Sequence, residues 1–132
     1  MKPAVCDSGF GSITVDGSMI NHDIIIRLSG EIKKRKKKLS KAVYWTSHII
    51  SLEEAKYIYQ DGAERLIIGA GQQGMVSLSE EAADYFKKNK CRIDLHPTPK
   101  AIEKWNDATE AVIGLFHITC WKVVFSAKQQ SD

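Results

Sequence analysis

Three short apolar runs punctuate the second half of this chain. They are Arg65–Gly69 "RLIIG", Cys91–Leu95 "CRIDL" and the stretch "AVIGLFHITCW" that starts at Ala111. Each is bounded by turn residues, and between them lie segments with the 3.6-residue period of amphipathic helices. Strands separated by helices of that length cannot pair as hairpins. They predict crossover connections, hence an α/β layer fold with a mainly parallel central sheet.

The helix ends are marked by capping residues. Ser51 with Glu54 forms a capping box, in which the hydroxyl and the carboxylate satisfy orphan amides of the first turn. That helix is expected to reach about Gln60, with Leu52, Ala55 and Tyr59 on one face and Asp61-Gly62 ending it. Ser77 with Glu80, or Ser79 alone, caps a second helix that turns Ala82, Ala83 and Phe86 inward. Thr98 as cap and Pro99 in the first turn start a third, with a stripe of Ile102, Trp105 and Ala108. Upstream, Phe10–Val15 and Asp23–Leu28 read as strands separated by an Asp16-Gly17 turn. Glu31–Lys36 is a possible third strand; Ile32 is its only apolar residue, which places it at an edge. The segment "KLSKAVYWTSHII" reads as a loop anchored by Tyr44 and Trp45. The N-terminal hairpin lies beside the sheet or over one face.

At 132 residues the chain has room for one domain, 1–132, with a core over about 9–120 and a frayed tail at 126–132. No repeat or linker interrupts it. No apolar run approaches the roughly 20 residues that span a bilayer. The N-terminal "MKPAVCDSGF" lacks the apolar core of a secretory signal. Cys6, Cys91 and Cys120 are far apart and odd in number, as expected of reduced thiols in the cytoplasm.

The net charge of +3 is a local feature. Lys33, Lys34, Arg35, Lys36, Lys37 and Lys38 hold six of the 19 basic side chains; without them 13 basic residues face 16 acidic ones. Such a run is a candidate partner surface, or an edge strand kept from aggregating by its lysines. It carries no interleaved aromatics for base stacking, which argues against nucleic acid.

The turn after "RLIIG" is the sharpest motif. Gly69-Ala70-Gly71-Gln72-Gln73-Gly74 spells G-x-G-x-x-G, the fingerprint of dinucleotide-binding folds, and Asp94 lies 20 residues on, where a ribose-binding acid belongs. In that fingerprint the last glycine opens a helix whose amides face the pyrophosphate. Here Met75, Val76 and Ser77 intervene before a separately capped helix, and only 58 residues follow Gly74. No cofactor is therefore expected. The glycines instead predict close backbone packing, or a small anion at the C-terminal edge of the sheet. The candidate ligand-binding residues there are Gly69, Ala70, Gly71, Gln72, Thr98 and His117.

No catalytic residue is assigned. His117 and Cys120 are three apart, which puts them on opposite faces of a strand. His22, His48, His96 and His117 have no metal-ligand spacing, so no metal is expected. Glu53-Glu54 and Glu80-Glu81 sit at helix starts, as dipole and cap residues.

"FGSITVDG", "WTSHIIS", "LIIGAGQQG", "HPTPKAIEKWND" and "IGLFHITC" occur in an order and spacing that resembles the family of the adipogenesis-associated Mth938-domain protein. Its superfamily includes a mitochondrial complex I assembly factor, and this chain is most similar to the small single-domain prokaryotic and archaeal members. The resemblance spans nearly all of residues 9–120. Two features depart from the pattern: Glu110 stands where a basic residue is usual, and the 33–38 run is denser. The resemblance implies three layers, a mixed central sheet with helices on one side and helix plus β-hairpin on the other, and a final strand antiparallel to its neighbours. It carries no established catalytic residues. It implies a non-enzymatic binding or assembly module with a protein partner; the alternative is a small-ligand binder or enzyme using the cleft at the glycine turn.

Overall fold

The structure, a computed structural model, describes residues 2–9 and 11–118. In chain order the elements are β1 (Val5–Gly9), β2 (Ser12–Val15), β3 (Ser18–Ile20), β4 (Ile24–Ile26), β5 (Ile32–Lys34), α1 (Lys38–Tyr44), β6 (Ile49–Ile50) and α2 (Leu52–Ile58). They continue with β7 (Arg65–Gly69), β8 (Ser77–Leu78), α3 (Glu80–Lys88), β9 (Arg92–His96), α4 (Thr98–Asp107) and β10 (Val112–Phe116).

The central sheet has the order β5-β4-β10-β7-β9. β9, β7 and β10 run parallel, joined by the helical crossovers that the sequence predicts, while β4 and β5 add antiparallel strands on one side. The sheet is therefore mixed. Period-2 burial assigns its two faces. Ile25, Leu66, Ile68, Ile113 and Leu115 point to one core, with Ala55, Ile58, Ala82 and Phe86 from α2 and α3. Ile24, Ile26, Ile67, Val112 and Phe116 point to the other, against Ala101 and Trp105 of α4 and Val5, Ile13 and Val15 of the β1-β2-β3 sheet. Helices lie on one side and a helix plus a β-meander on the other, as the resemblance implies.

Several expectations need correction. The final strand is antiparallel only to β4; it is parallel to β7, with Gly114 opposite both Ile26 and Ile67. β10 ends at Phe116, so His117 and Ile118, read as strand, lie beyond it; the rest of the expected strand, through Trp121, and the 126–132 tail lie outside the described residues. Regular structure begins before residue 9, with β1. This strand is not legible in the sequence because its anchors are remote: the Trp105 indole donates to Pro3 O at 2.8 Å, and Asn106 Oδ1 accepts from Val5 N at 3.1 Å. The Trp105-Asn106 pair thus clips the N-terminal segment to α4. Asp16-Gly17 does make a turn, with φ of 47° and 83°, but it joins β2 to the unforeseen β3 in a two-residue hairpin. Residues 38–44, read as loop, form α1. Thr98 does not cap α4; the helix starts at Thr98 itself after Pro97, and its hydroxyl is used elsewhere. Ser79 is the cap of α3, accepting from Ala82 N at 3.1 Å. Ser77 instead enters β8, which pairs with β6.

Among the described residues no helix is long and apolar enough to cross a membrane.

Candidate functional site

The glycine turn leaves β7 at the C-terminal end of the parallel strands, the edge where open α/β sheets place ligands. Its backbone groups are turned toward the protein. Ala70 N donates to His96 O at 2.8 Å, Gly71 N to the Thr98 hydroxyl at 2.9 Å, and Val76 N to Ala70 O at 3.2 Å. Thr98 N returns to Gly71 O at 2.9 Å, and His117 N reaches Gly69 O at 2.8 Å. Thus Gly69, Gly71, Thr98 and His117 are brought together, but by bonds to one another; Ala70 between the glycines bonds to His96 and Val76, and Gln72 lies half-buried on the turn. Gly69 is small for a packing reason, since a Cβ there would sit 2.7 Å from the Phe116 ring. Asp94 is bound by Arg65 and by His96 Nε2, and Arg65 also meets Glu110 at 3.2 Å. The carboxylate that mimics a ribose ligand is a partner in an ion-pair cluster. Glu110, the departure from the family pattern, belongs to that cluster.

The polar centre that sequence reasoning misses lies next to this turn. Arg35 belongs by sequence to the basic surface, yet it is 4% exposed. Its guanidinium donates to both Glu54 oxygens at 2.5 and 3.0 Å, to Asp23 Oδ2 at 3.0 Å and to Ser47 O at 2.6 Å. Glu54 is fully buried and also accepts from the Ser40 hydroxyl. The capping box is half kept: Ser51 Oγ accepts from Glu54 N at 3.2 Å, but the Glu54 carboxylate turns away from the helix end to meet Arg35. Asp23 takes a hydrogen bond from Ile118 N at 2.7 Å and one from His117 Nδ1 at 2.8 Å. The ionised Asp23 can only accept, so Nδ1 of His117 carries the proton.

Electrostatics follow from burial and pairing. Burial pushes the Asp23 carboxyl up, but the hydrogen bonds from His117 and Ile118 and the nearby charges of His117 and Lys37 outweigh it and hold it at about 2. Burial works against the Arg35 charge too; Glu54 and Asp23 more than offset it. His48, whose ring meets that of His117 edge-on at 5.4 Å, is held below the ordinary histidine value by burial and then by the charges of His117 and Arg35. Two buried carboxylates face one guanidinium, and Lys37, 3.7 Å from Asp23, supplies further positive charge at the rim.

Beside this centre opens a cleft of about 1000 Å³, lined by His22, Asp23, Ile118 and the 34–38 run. Lys34, Lys36 and Lys38 are exposed there, Lys37 half so, and Arg35 forms part of the floor. Lys33 is exposed on the edge strand β5, outside the lining. The run is therefore divided: one residue is structural and five lysines face outward. A sequence made only of basic residues offers no polarity contrast to reveal that division. Among the described residues no group of three or more His, Cys, Asp and Glu is placed to hold a metal ion. Cys120 lies outside the described residues, Cys6 is exposed, and burial pushes the Cys91 thiol up to about 11.

Comparison with known proteins agrees with the fold. A conserved hypothetical protein of Pyrococcus horikoshii OT3, PH1505, is 30% identical, with a TM-score of 0.79 over 91% of this chain and 100% of its own. A structure described as MT938 is 28% identical, with a TM-score of 0.75 over 90% of this chain and 100% of its own. A Mth938-like domain protein of Bordetella pertussis shares the fold at 13% identity and a TM-score of 0.61, over 89% of this chain and 87% of its own. No curated protein matches significantly. A family model described as protein of unknown function (DUF498/DUF598) matches residues 5–115, and the chain belongs to that Mth938-like family.

Proposed function

We propose that this protein is a binding module without chemistry of its own, which receives an acidic group of a protein partner in the cleft bordered by the 34–38 lysines. One observation carries the reading: Arg35 is folded inward as a neutralised anchor, and Lys34, Lys36, Lys37 and Lys38 line a concave space of about 1000 Å³ beside it, Lys36 with its ammonium over the Tyr57 ring at 4.5 Å. Concavity and a lining dominated by basic side chains are features that favour an anion. Lys33 extends the basic surface along β5. The proposed setting is the cytoplasm, in keeping with free Cys6 and Cys91.

A small anion in the same cleft is the second reading, favoured by a volume that suits a single small molecule. The glycine turn is less suited to that role, because the amides of Ala70, Gly71 and Val76 already have protein acceptors. Nucleic acid is not proposed for the cleft.

The test is affinity capture from native extract with the wild-type chain and with K34E/K36E/K38E, at low and high salt. A partner retained by wild type, lost on charge reversal and weakened by salt supports the proposal. Thermal shift with inorganic phosphate, pyrophosphate and citrate separates the second reading, since a ligand that binds the native state raises Tm. Capture that ignores both charge reversal and salt contradicts it.

A further inference from the structure

α1 ends in a conformation that the fold alone does not explain. Trp45 closes its last hydrogen bond, N to Lys41 O at 2.9 Å, with φ of 63° in the left-handed region. Helices place glycine or asparagine there, because a side chain with a Cβ is strained. Here the position holds the largest side chain of all, and it is 93% exposed. Stability argues against Trp45 on both counts, so its presence calls for a contact made beyond the described residues.

Its surroundings indicate which kind. Lys38, Lys41 and Ala42 precede Trp45 by seven, four and three residues, the spacing of one helix face. All are exposed, whereas Ser40, on the opposite side, is buried. Val43, 54% exposed, lies off that face, two residues before Trp45. From Ile32 to Ile50 the sequence holds seven basic residues and no acidic one. A nucleic-acid strand needs successive aromatic platforms, and this face has one. Lys38 and Lys41 flank the ring, so the aromatic tip and two ammonium groups are presented on one exposed face. A tryptophan beside lysines fits an anionic bilayer surface: the indole enters the headgroup layer and the ammonium groups meet its negative potential.

We infer that the outward face of α1, with Trp45 at its tip and Lys38 and Lys41 behind it, docks the protein reversibly on an anionic membrane surface. This face adjoins the basic cleft but does not depend on the partner reading above. Lys38 is shared with the cleft lining, whereas Lys41 and Trp45 are not among the residues that line it.

Co-sedimentation of the full chain with vesicles tests it. The arms are pure phosphatidylcholine and phosphatidylcholine with about 30% phosphatidylserine, near 50 and 500 mM salt. Binding is expected only to the anionic vesicles and only at low salt, with a blue shift of tryptophan emission that W45G abolishes. K41E is expected to weaken binding at least fivefold and W45G roughly tenfold. W45G should keep or raise Tm, because glycine relieves the left-handed position. K100E, on α4 across the central sheet, should bind as wild type. Four results would each overturn the inference: no binding to anionic vesicles, equal binding to pure phosphatidylcholine, W45G binding as wild type, or a single-stranded oligonucleotide displacing the vesicles.

Discussion

Replacing Arg35 by methionine should be the most destabilising single change in the 33–38 run. The substitution keeps much of the aliphatic volume but removes four hydrogen bonds, two to Glu54 and one each to Asp23 and Ser47 O. It strands Glu54, which is fully buried, and removes one of the partners of Asp23. Deleting one member of a buried ion pair costs about 3–5 kcal/mol, because the remaining charge has lost its compensation. With an unfolding entropy near 2.1 cal/mol/K per residue, that corresponds to a fall in Tm of about 10–18 °C for a chain of this size. K33M, on the exposed edge strand, should stay within about 0.5 kcal/mol of wild type. The double variant R35M/E54M removes both charges, leaves Asp23 with His117 and Ile118, and should recover most of the loss. Urea denaturation of the four proteins measures all three values. If R35M costs under about 1 kcal/mol, or if R35M/E54M is no better than R35M, Arg35 is not the anchor described here.

Other consequences are open to measurement. Asp23 has a folded-state value depressed to about 2 from 3.8, so its contribution, about 2 kcal/mol, is fully present above pH 3.8 and lost as pH falls toward 2; D23N should flatten the stability profile in that window. His48 is a base held below 6.5, so the unfolded chain binds its proton first and stability drops as pH falls below 6.5; H48Q should reduce that slope. G69A should cost about 1–3 kcal/mol, because the new methyl meets Phe116 and the Thr98 hydroxyl, and differential scanning calorimetry reads this directly. In native protein at pH 8, C91A should leave the rapid thiol-reagent amplitude unchanged and C6A should reduce it, since Cys91 is buried with its thiol raised to about 11 and Cys6 is exposed.

The layer architecture is legible because it rests on local signals. Apolar runs bounded by glycine, capped helices between them and an edge strand with one isoleucine carry the fold class without long-range information. What stays hidden depends on tertiary contacts. β1 is held by Trp105 and Asn106, about a hundred residues away, and no pattern within Val5–Gly9 announces it. α1 has too few turns for periodicity to separate it from loop. The direction of β10 is a matter of topology; the apolar run itself is the same either way. The candidate site is legible in part. The glycine turn and His117 do meet at the predicted sheet edge, but the amides that a ligand would use are taken by Thr98 and His96. The buried Asp23–Arg35–Glu54 centre leaves one trace in the sequence: Glu54 lies beside Ala55 and four residues before Ile58, on the helix face that turns inward. Read as a capping residue, it has no need of a buried partner, and Arg35 is lost among its basic neighbours.

The 33–38 run is divided, with Arg35 in the floor of the cleft and five lysines outward; the partner proposed for those lysines is the point to test. A photo-crosslinking amino acid placed at Lys36 in cells tests it most directly, because that side chain is exposed at the rim of the cleft. The account predicts one discrete protein adduct that disappears when Lys34 and Lys38 are reversed to glutamate and persists with K33M. The absence of any adduct, or the same adduct after charge reversal, would contradict it.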